Sequence, residues 1–336
     1  VILYVLSVAL AVLPVASFLL ALVVLDSYKL VRIRWVLGMV AAGGAIAVAC
    51  AQLNPWVLEA AALDHRTFTR YVAPAIEELL KGSVILLAIW RRRVGFLVDA
   101  AISGFAVGAG FAAIENFYYL RVLADPNLAI WTIRGFGTAI MHGGVTAIFS
   151  VITLHLTERF DSRAPHVVAP GLLVAVVIHS FFNHFYLSPG VSTLVLLITF
   201  PLLFALVFRA SESATHDWLG VGFDTDQELL MVIRSGKIGG TRVGRYLASL
   251  RDRFPPETVV DMLNLIRLQL ELSMKAKGVL LFKNAGFPVP EDPEIEERFE
   301  ELRYLEKSIG RTGKLALSPI FSMSRKDLWQ LHLLDH

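Results

Sequence analysis

Cysteine is almost missing from this chain of 336 residues, in which Cys50 is the only one. That excludes an intrachain disulfide and any cysteine-based zinc cluster, so packing alone must hold the fold. Charge is scarce as well. Asp, Glu, Lys and Arg make up 18% of the sequence against 55% apolar residues, and the formal net charge of +2 is too small for a nucleic-acid footprint. No polynucleotide partner is expected. The scarcity is uneven: residues 1–209 hold 14 Lys/Arg and 10 Asp/Glu, whereas residues 210–336 hold 17 and 19. This split excludes a uniform soluble globule and predicts a transmembrane helical domain over 1–209 followed by a soluble helical domain over 210–336.

What the first part does have is long uncharged runs. Residues 1–25 carry no charge, and at ~1.5 Å per residue such a helix spans the ~30 Å hydrocarbon core. The run is too long for a signal peptide and lacks a small-residue cleavage site, so it is expected to stay as a transmembrane helix. Six more spans are predicted, at about 35–53, 71–90, 96–120, 134–156, 167–187 and 191–209, with Ser188-Pro189-Gly190 as the turn between the last two. The expected fold class is therefore all-α, a polytopic bundle of about seven spans. Basic residues are retained on the cytoplasmic side. Lys29, Arg32, Arg34, Arg91, Arg92, Arg93, Arg159 and Arg163 fall in odd-numbered connections, against Arg66, Arg70, Arg121 and Arg134 in even-numbered ones. The N-terminus is thus expected outside and the tail inside, in the cytoplasmic (inner) membrane.

In the tail, Thr225-x-x-Glu228 looks like a capping box, and Pro255-Pro256-Glu257 is expected to open a long amphipathic helix ending near Gly286. Pro288, Pro290 and Pro293 then break the pattern before an acidic helix at 294–307. Nothing in the tail identifies its partner.

Several charges sit where lipid should be. The third span contains Glu77, Glu78 and Lys81, at roughly 2.5–3.5 kcal/mol each on the insertion scale. Lys81 lies three or four residues from each glutamate and can neutralise one, which leaves the other needing a function. The fourth span carries Phe111, Glu115 and Asn116, with Gly104-x-x-x-Gly108 as a small-residue packing strip. Asp99 near its inner end is expected to be a snorkelling or interfacial residue. His142 occupies the fifth span, and His179 and Asn183 share one face of the sixth. Counted inward from the outer span ends, Glu77, Glu115, His142 and His179 all lie roughly 8–12 Å deep at ~1.5 Å per residue. Unrelated polar residues would scatter over both leaflets, so one polar cavity open to external water is predicted.

Carboxylates, imidazoles and a carboxamide in such a cavity are the parts for activating water. Glutamate serves as general base, and the imidazoles either bind Zn²⁺ with a carboxylate or orient the water directly. Asn183 offers a neutral fork of N–H donors for an oxyanion. No His-Glu-x-x-His is present, and the sequence leaves both routes open.

The order Glu77-Glu78-x-x-Lys81, Phe111-x-x-x-Glu115-Asn116, isolated His142 and His179-x-x-x-Asn183 on consecutive helices resembles the PrsW family of intramembrane proteases, relatives of the CAAX-processing and bacteriocin-immunity membrane proteases. The likeness covers about residues 70–187. It implies a peptidase that cuts membrane-anchored proteins near the extracytoplasmic face, as family members with a known role cleave an anti-sigma factor. It also implies Glu77 and Glu78 as the base, and His142 and His179 as metal ligands or water-orienting groups; where a metal is present, Glu78, His142 and His179 are the expected ligand set. In the CAAX-processing relatives a histidine stands where this chain has Glu115. Two other classes are compatible with the same polar set: a proton-coupled secondary transporter, whose site usually lies near the bilayer midplane, and a non-catalytic membrane sensor.

Overall fold

The computed structural model describes residues 2–26, 31–123, 127–289 and 292–317. Lys29 and Pro290 fall outside these residues, as does the side chain of Thr225. All regular structure among the described residues is helical, and the chain divides into two compact units, Val1–Glu212 and Ser213–His336.

The first unit contains α1 (Ile2–Leu25), α2 (Ile33–Ala60), α3 (Ala73–Trp90), α4 (Leu97–Val122), α5 (Leu128–Phe160) and α6 (Pro165–Asn183), and then the start of α7 (Pro189–Arg234). All but α3 are long and apolar enough to cross a membrane, which makes six candidate spans. The acids and lysine of α3 set it apart from the other six. Proline at the first position of α6 and of α7 fits there because the first N–H groups of a helix lack intrahelical partners.

The α4–α5 pair forms the buried centre, with α1, α2, α6 and α7 exposing large apolar side chains around it. Missing side chains make the pairing close. A Cβ on Gly104 would lie 2.7 Å from Ala147 Cα, and one on Gly108 would lie 2.2 Å from the His142 carbonyl oxygen. The small-residue strip is thus a packing device. Phe105, Phe149, Phe200 and Phe204 fill the remaining space in the core.

Three expectations need correction. Asp99 does not snorkel; it is buried, and its Oδ2 accepts hydrogen bonds from the Gly95 and Phe96 N–H groups, satisfying donors at the start of α4. Thr225 does not begin a helix, because α7 runs unbroken from Pro189 to Arg234. For the same reason the helix that carries the seventh apolar run continues past residue 209, although the run itself ends at Arg209.

In the second unit, the 3₁₀ turn Lys237–Gly240 leads to α8 (Arg242–Ser249), α9 (Pro256–Asn284) and α10 (Ile295–Leu317). Leu247, Met262, Leu265, Leu272, Leu302 and Ile309 form its core. Asp226 accepts hydrogen bonds from Ser273 Oγ at 2.5 Å and Lys277 Nζ at 2.8 Å, and so ties the end of α7 to α9. The long helix expected after Pro255 and the acidic helix from residue 294 are both present, the latter bent at Gly310, where φ is 68°.

Candidate active site

The residues expected to meet come from one end of α3, α4, α5 and α6. Alternating helix direction puts Glu77 near the start of α3, Glu115 near the end of α4, His142 in the first half of α5 and His179 near the end of α6. Two π-helical segments border this end. Phe68–Val72 precedes α3, and Arg134–Ala139 interrupts α5 before His142. Such wide turns disturb the carbonyl ladder and are frequent at functional sites. Here the Arg70 carbonyl accepts from Ser180 Oγ at 2.5 Å and the Thr69 carbonyl from Asn183 Nδ2 at 3.0 Å, which latches α6 to the lead-in of α3. Asn183 therefore spends one of its two donors on structure, and its expected oxyanion role is not what this hydrogen bond serves.

The adjacent glutamates separate cleanly. Glu78 is buried, and its Oε1 accepts from Lys81 Nζ at 2.5 Å and from His179 Nδ1 at 2.7 Å. An ionised carboxylate only accepts, so His179 carries its hydrogen on Nδ1 and keeps a bare Nε2. That nitrogen faces Glu77 Oε2 at 3.9 Å. Glu77 lines the cavity, and α2 supplies it with a hydrogen bond from Asn54 Nδ2 to Oε1 at 3.2 Å. Lys81 is fully buried, 4.7 Å from the centre of the Phe111 ring. It also donates to His142 Nδ1 at 3.2 Å, because an ammonium has no acceptor. His142 then bears its hydrogen on Nε2, 3.3 Å from Glu115 Oε2. Glu115 is bound in turn by Arg134 Nη2 at 3.2 Å. Arg134 is fixed by Nε donation to Asn116 Oδ1 at 2.8 Å and by stacking on Tyr119, 4.0 Å from the ring centre.

These groups border a cavity of about 430 Å³ whose lining includes Cys50, Asn54, Glu77, Glu115, Arg134 and His179. Sequence reasoning missed Asn54 and Arg134. Asn54 lies one residue beyond the expected end of the second span, and Arg134 was counted only as a connection charge. A carboxamide or guanidinium at the margin of an apolar run was the available signal.

Whether a metal fits is decided by the donor atoms. Glu77, His142 and His179 each offer one ligand atom within 4.8 Å of the others. Tetrahedral zinc ligands stand roughly 3.4 Å apart, so rotations of about an ångström close the set. His179 already has the usual outer partner, a carboxylate on its second nitrogen. His142 Nε2 joins once the ring hydrogen moves to Nδ1 and the Lys81 ammonium turns to Glu78 alone, since the ligand is the neutral imidazole. The site also holds three carboxylates, Glu77, Glu78 and Glu115, against the two cations Lys81 and Arg134, and this negative excess suits a bound cation. The residues fit. The carboxylate of the set is Glu77, not the expected Glu78, because Lys81 and His179 turn Glu78 away from the cavity.

A helical membrane bundle that gathers acids and imidazoles around one cavity has the parts of an intramembrane hydrolase. The model of the PrsW family of intramembrane metalloproteases matches residues 29–207, over half of the chain, and the protein belongs to that family. It is an intramembrane protease. No curated protein and no solved structure matches the chain.

Proposed function

We propose that this protein is an endopeptidase that hydrolyses a peptide bond of a membrane-anchored protein near the extracytoplasmic face, with Glu77 as the water-activating carboxylate. Its substrates are proteins of the anti-sigma-factor type, held by one span with a short external segment. The proposal places the enzyme in the cytoplasmic membrane, with the N-terminus outside and the C-terminal unit in the cytoplasm. The observation that carries the mechanism is the division of labour between adjacent acids: Glu78 Oε1 is bound by Lys81 and His179 and its side chain does not line the cavity, while Glu77 presents Oε2 to it.

Glu77 Oε2 is an oxygen with open lone pairs on the cavity wall, since Oε1 is engaged by Asn54, whereas the unpartnered Oε2 of Glu78 is buried off the cavity. Glu115 is less available, because its Oε2 meets both Arg134 and His142. Glu77 takes the proton of the attacking water and returns it to the leaving amine. His179, oriented by Glu78, aims Nε2 at the same space. Arg134 places a fixed positive charge on the cavity wall, where charge develops on the carbonyl oxygen. Where a Zn²⁺ is held by Glu77, His142 and His179, Glu77 Oε2 would serve as a ligand instead of the base, and the ion would polarise the carbonyl and lower the pKa of the attacking water.

The test uses purified full-length protein in liposomes and a single-pass reporter with a short external segment. Glu77→Gln and His179→Ala are each expected to reduce cleavage by about 10²-fold or more, the usual worth of a positioned proton-transfer group. Undiminished cleavage in both variants would defeat the proposal.

A further inference from the structure

The residue that holds Glu77 in place comes from α2, outside the four helices that carry the acids and imidazoles. Gly43, Ala47, Cys50 and Asn54 stand at i, i+4, i+7 and i+11, on one stripe of α2. The stripe is anchored against α4 at its glycine. A Cβ on Gly43 would lie 1.9 Å from the Val107 carbonyl oxygen, and one on Gly110 would lie 1.9 Å from the Val40 carbonyl oxygen, so the two backbones are locked together. One, two and three turns further on, the same stripe reaches the cavity at Ala47, Cys50 and Asn54. The direction of Asn54 is therefore set by a rigid contact well away from it.

Asn54 donates Nδ2 to Glu77 Oε1 at 3.2 Å, while its own Oδ1 is buried without a hydrogen-bond partner. A buried orphan acceptor is a cost that an apolar side chain of the same shape would avoid. Packing alone does not account for a carboxamide there. The donor half does, because it occupies one carboxylate oxygen of Glu77 and leaves the other, Oε2, toward His179. We propose that Asn54 is a positioning residue that fixes the rotamer of Glu77 through Oε1 and so dedicates Oε2 to the reacting water or the bound cation. This inference rests on Glu77 being the working carboxylate, as proposed above.

The test compares wild-type, Asn54→Leu and Asn54→Gln full-length proteins. Leucine keeps the volume and removes the donor, whereas glutamine restores it on a longer arm. Zn²⁺ affinity is measured by competition with a chelating dye, and kcat and KM with the single-pass reporter. Loss of an outer partner typically costs 10–100-fold in metal affinity or activity. Asn54→Leu is expected to weaken Zn²⁺ binding and lower kcat within that range while KM stays within about twofold. Asn54→Gln is expected to recover part of both losses.

Zn²⁺ affinity and kcat within about twofold of wild type in Asn54→Leu would overturn the inference, as would a loss confined to KM, since an outer partner acts through affinity or turnover. If leucine prevents folding, Asn54→Ala, which also removes the donor, takes its place under the same criteria: a loss of Zn²⁺ affinity and kcat supports the tether, and wild-type values overturn it. The two readings fail differently. Cleavage that survives Glu77→Gln sinks the protease mechanism, whereas loss at Glu77 with no effect at Asn54→Leu sinks only the tether.

Discussion

At the residue scale, neighbours in sequence have opposite fates. Glu77 and Glu78 lie 100° apart on α3, so one faces the cavity and the other faces Lys81 and His179. Glu78 is predicted to act by orienting His179, and Glu78→Gln should cost 10–100-fold in cleavage, less than Glu77→Gln. Reporter cleavage rates for the two variants check the order. Removing Lys81 is a different insult. Lys81→Met leaves a buried carboxylate without its counter-charge, which typically costs 3–5 kcal/mol. The double variant Glu78→Gln/Lys81→Met should recover much of that stability without recovering activity. Unfolding midpoints in detergent for the single and double variants measure the coupling; equal losses in both would show that the pair contributes nothing.

At the scale of elements, glycines bring helices close enough for short polar side chains to meet. Gly108 touches the backbone of His142 itself. Gly108→Ala is therefore expected to push α4 from α5, costing about 1–3 kcal/mol as an overpacked contact and displacing His142 from Lys81 and Glu115. Gly38 provides the comparison, because a Cβ there meets nothing within 4 Å. Gly38→Ala should leave both melting and cleavage close to wild type, and a matched loss at the two positions would remove packing as the explanation. The latch from Ser180 and Asn183 to the π-helical carbonyls belongs to this scale too, since it holds α6, and with it His179, against α3.

At the scale of the whole molecule, six helices among the described residues qualify as membrane spans by length and composition, and α3 crosses, in the proposed orientation, despite its two acids and a lysine. In the membrane unit the core around α4 and α5 gives α3 neighbours that satisfy those charges. The proposed orientation has a direct check. On a background lacking Cys50, Ala62→Cys in the connection before α3 should react with an impermeant thiol reagent from outside, and Ser162→Cys after α5 only once the membrane is opened. The reverse pattern would invert the topology. Prolonged chelation of the purified enzyme should abolish cleavage, with recovery on adding Zn²⁺, and the cleavage assay before and after chelation is the measure.

Composition and order alone determined that the chain is helical, that it is a membrane protein and that costly polar residues recur on consecutive spans. Those properties are local, because hydropathy over about 20 residues and spacing along one helix carry them. The meeting of Glu77, His142 and His179 was anticipated from common depth, since alternating helices repeat a height wherever their ends align. Which glutamate faces the cavity was not legible, because adjacent positions on a helix differ only in azimuth, and azimuth is set by neighbours. Asn54 and Arg134 stayed hidden for a related reason: each looks ordinary on its own helix and gains a role only from a side chain distant in sequence. The polar chemistry is thus written along the chain, but the assignment of each atom to it comes from helix rotation and close packing, which only the tertiary structure decides.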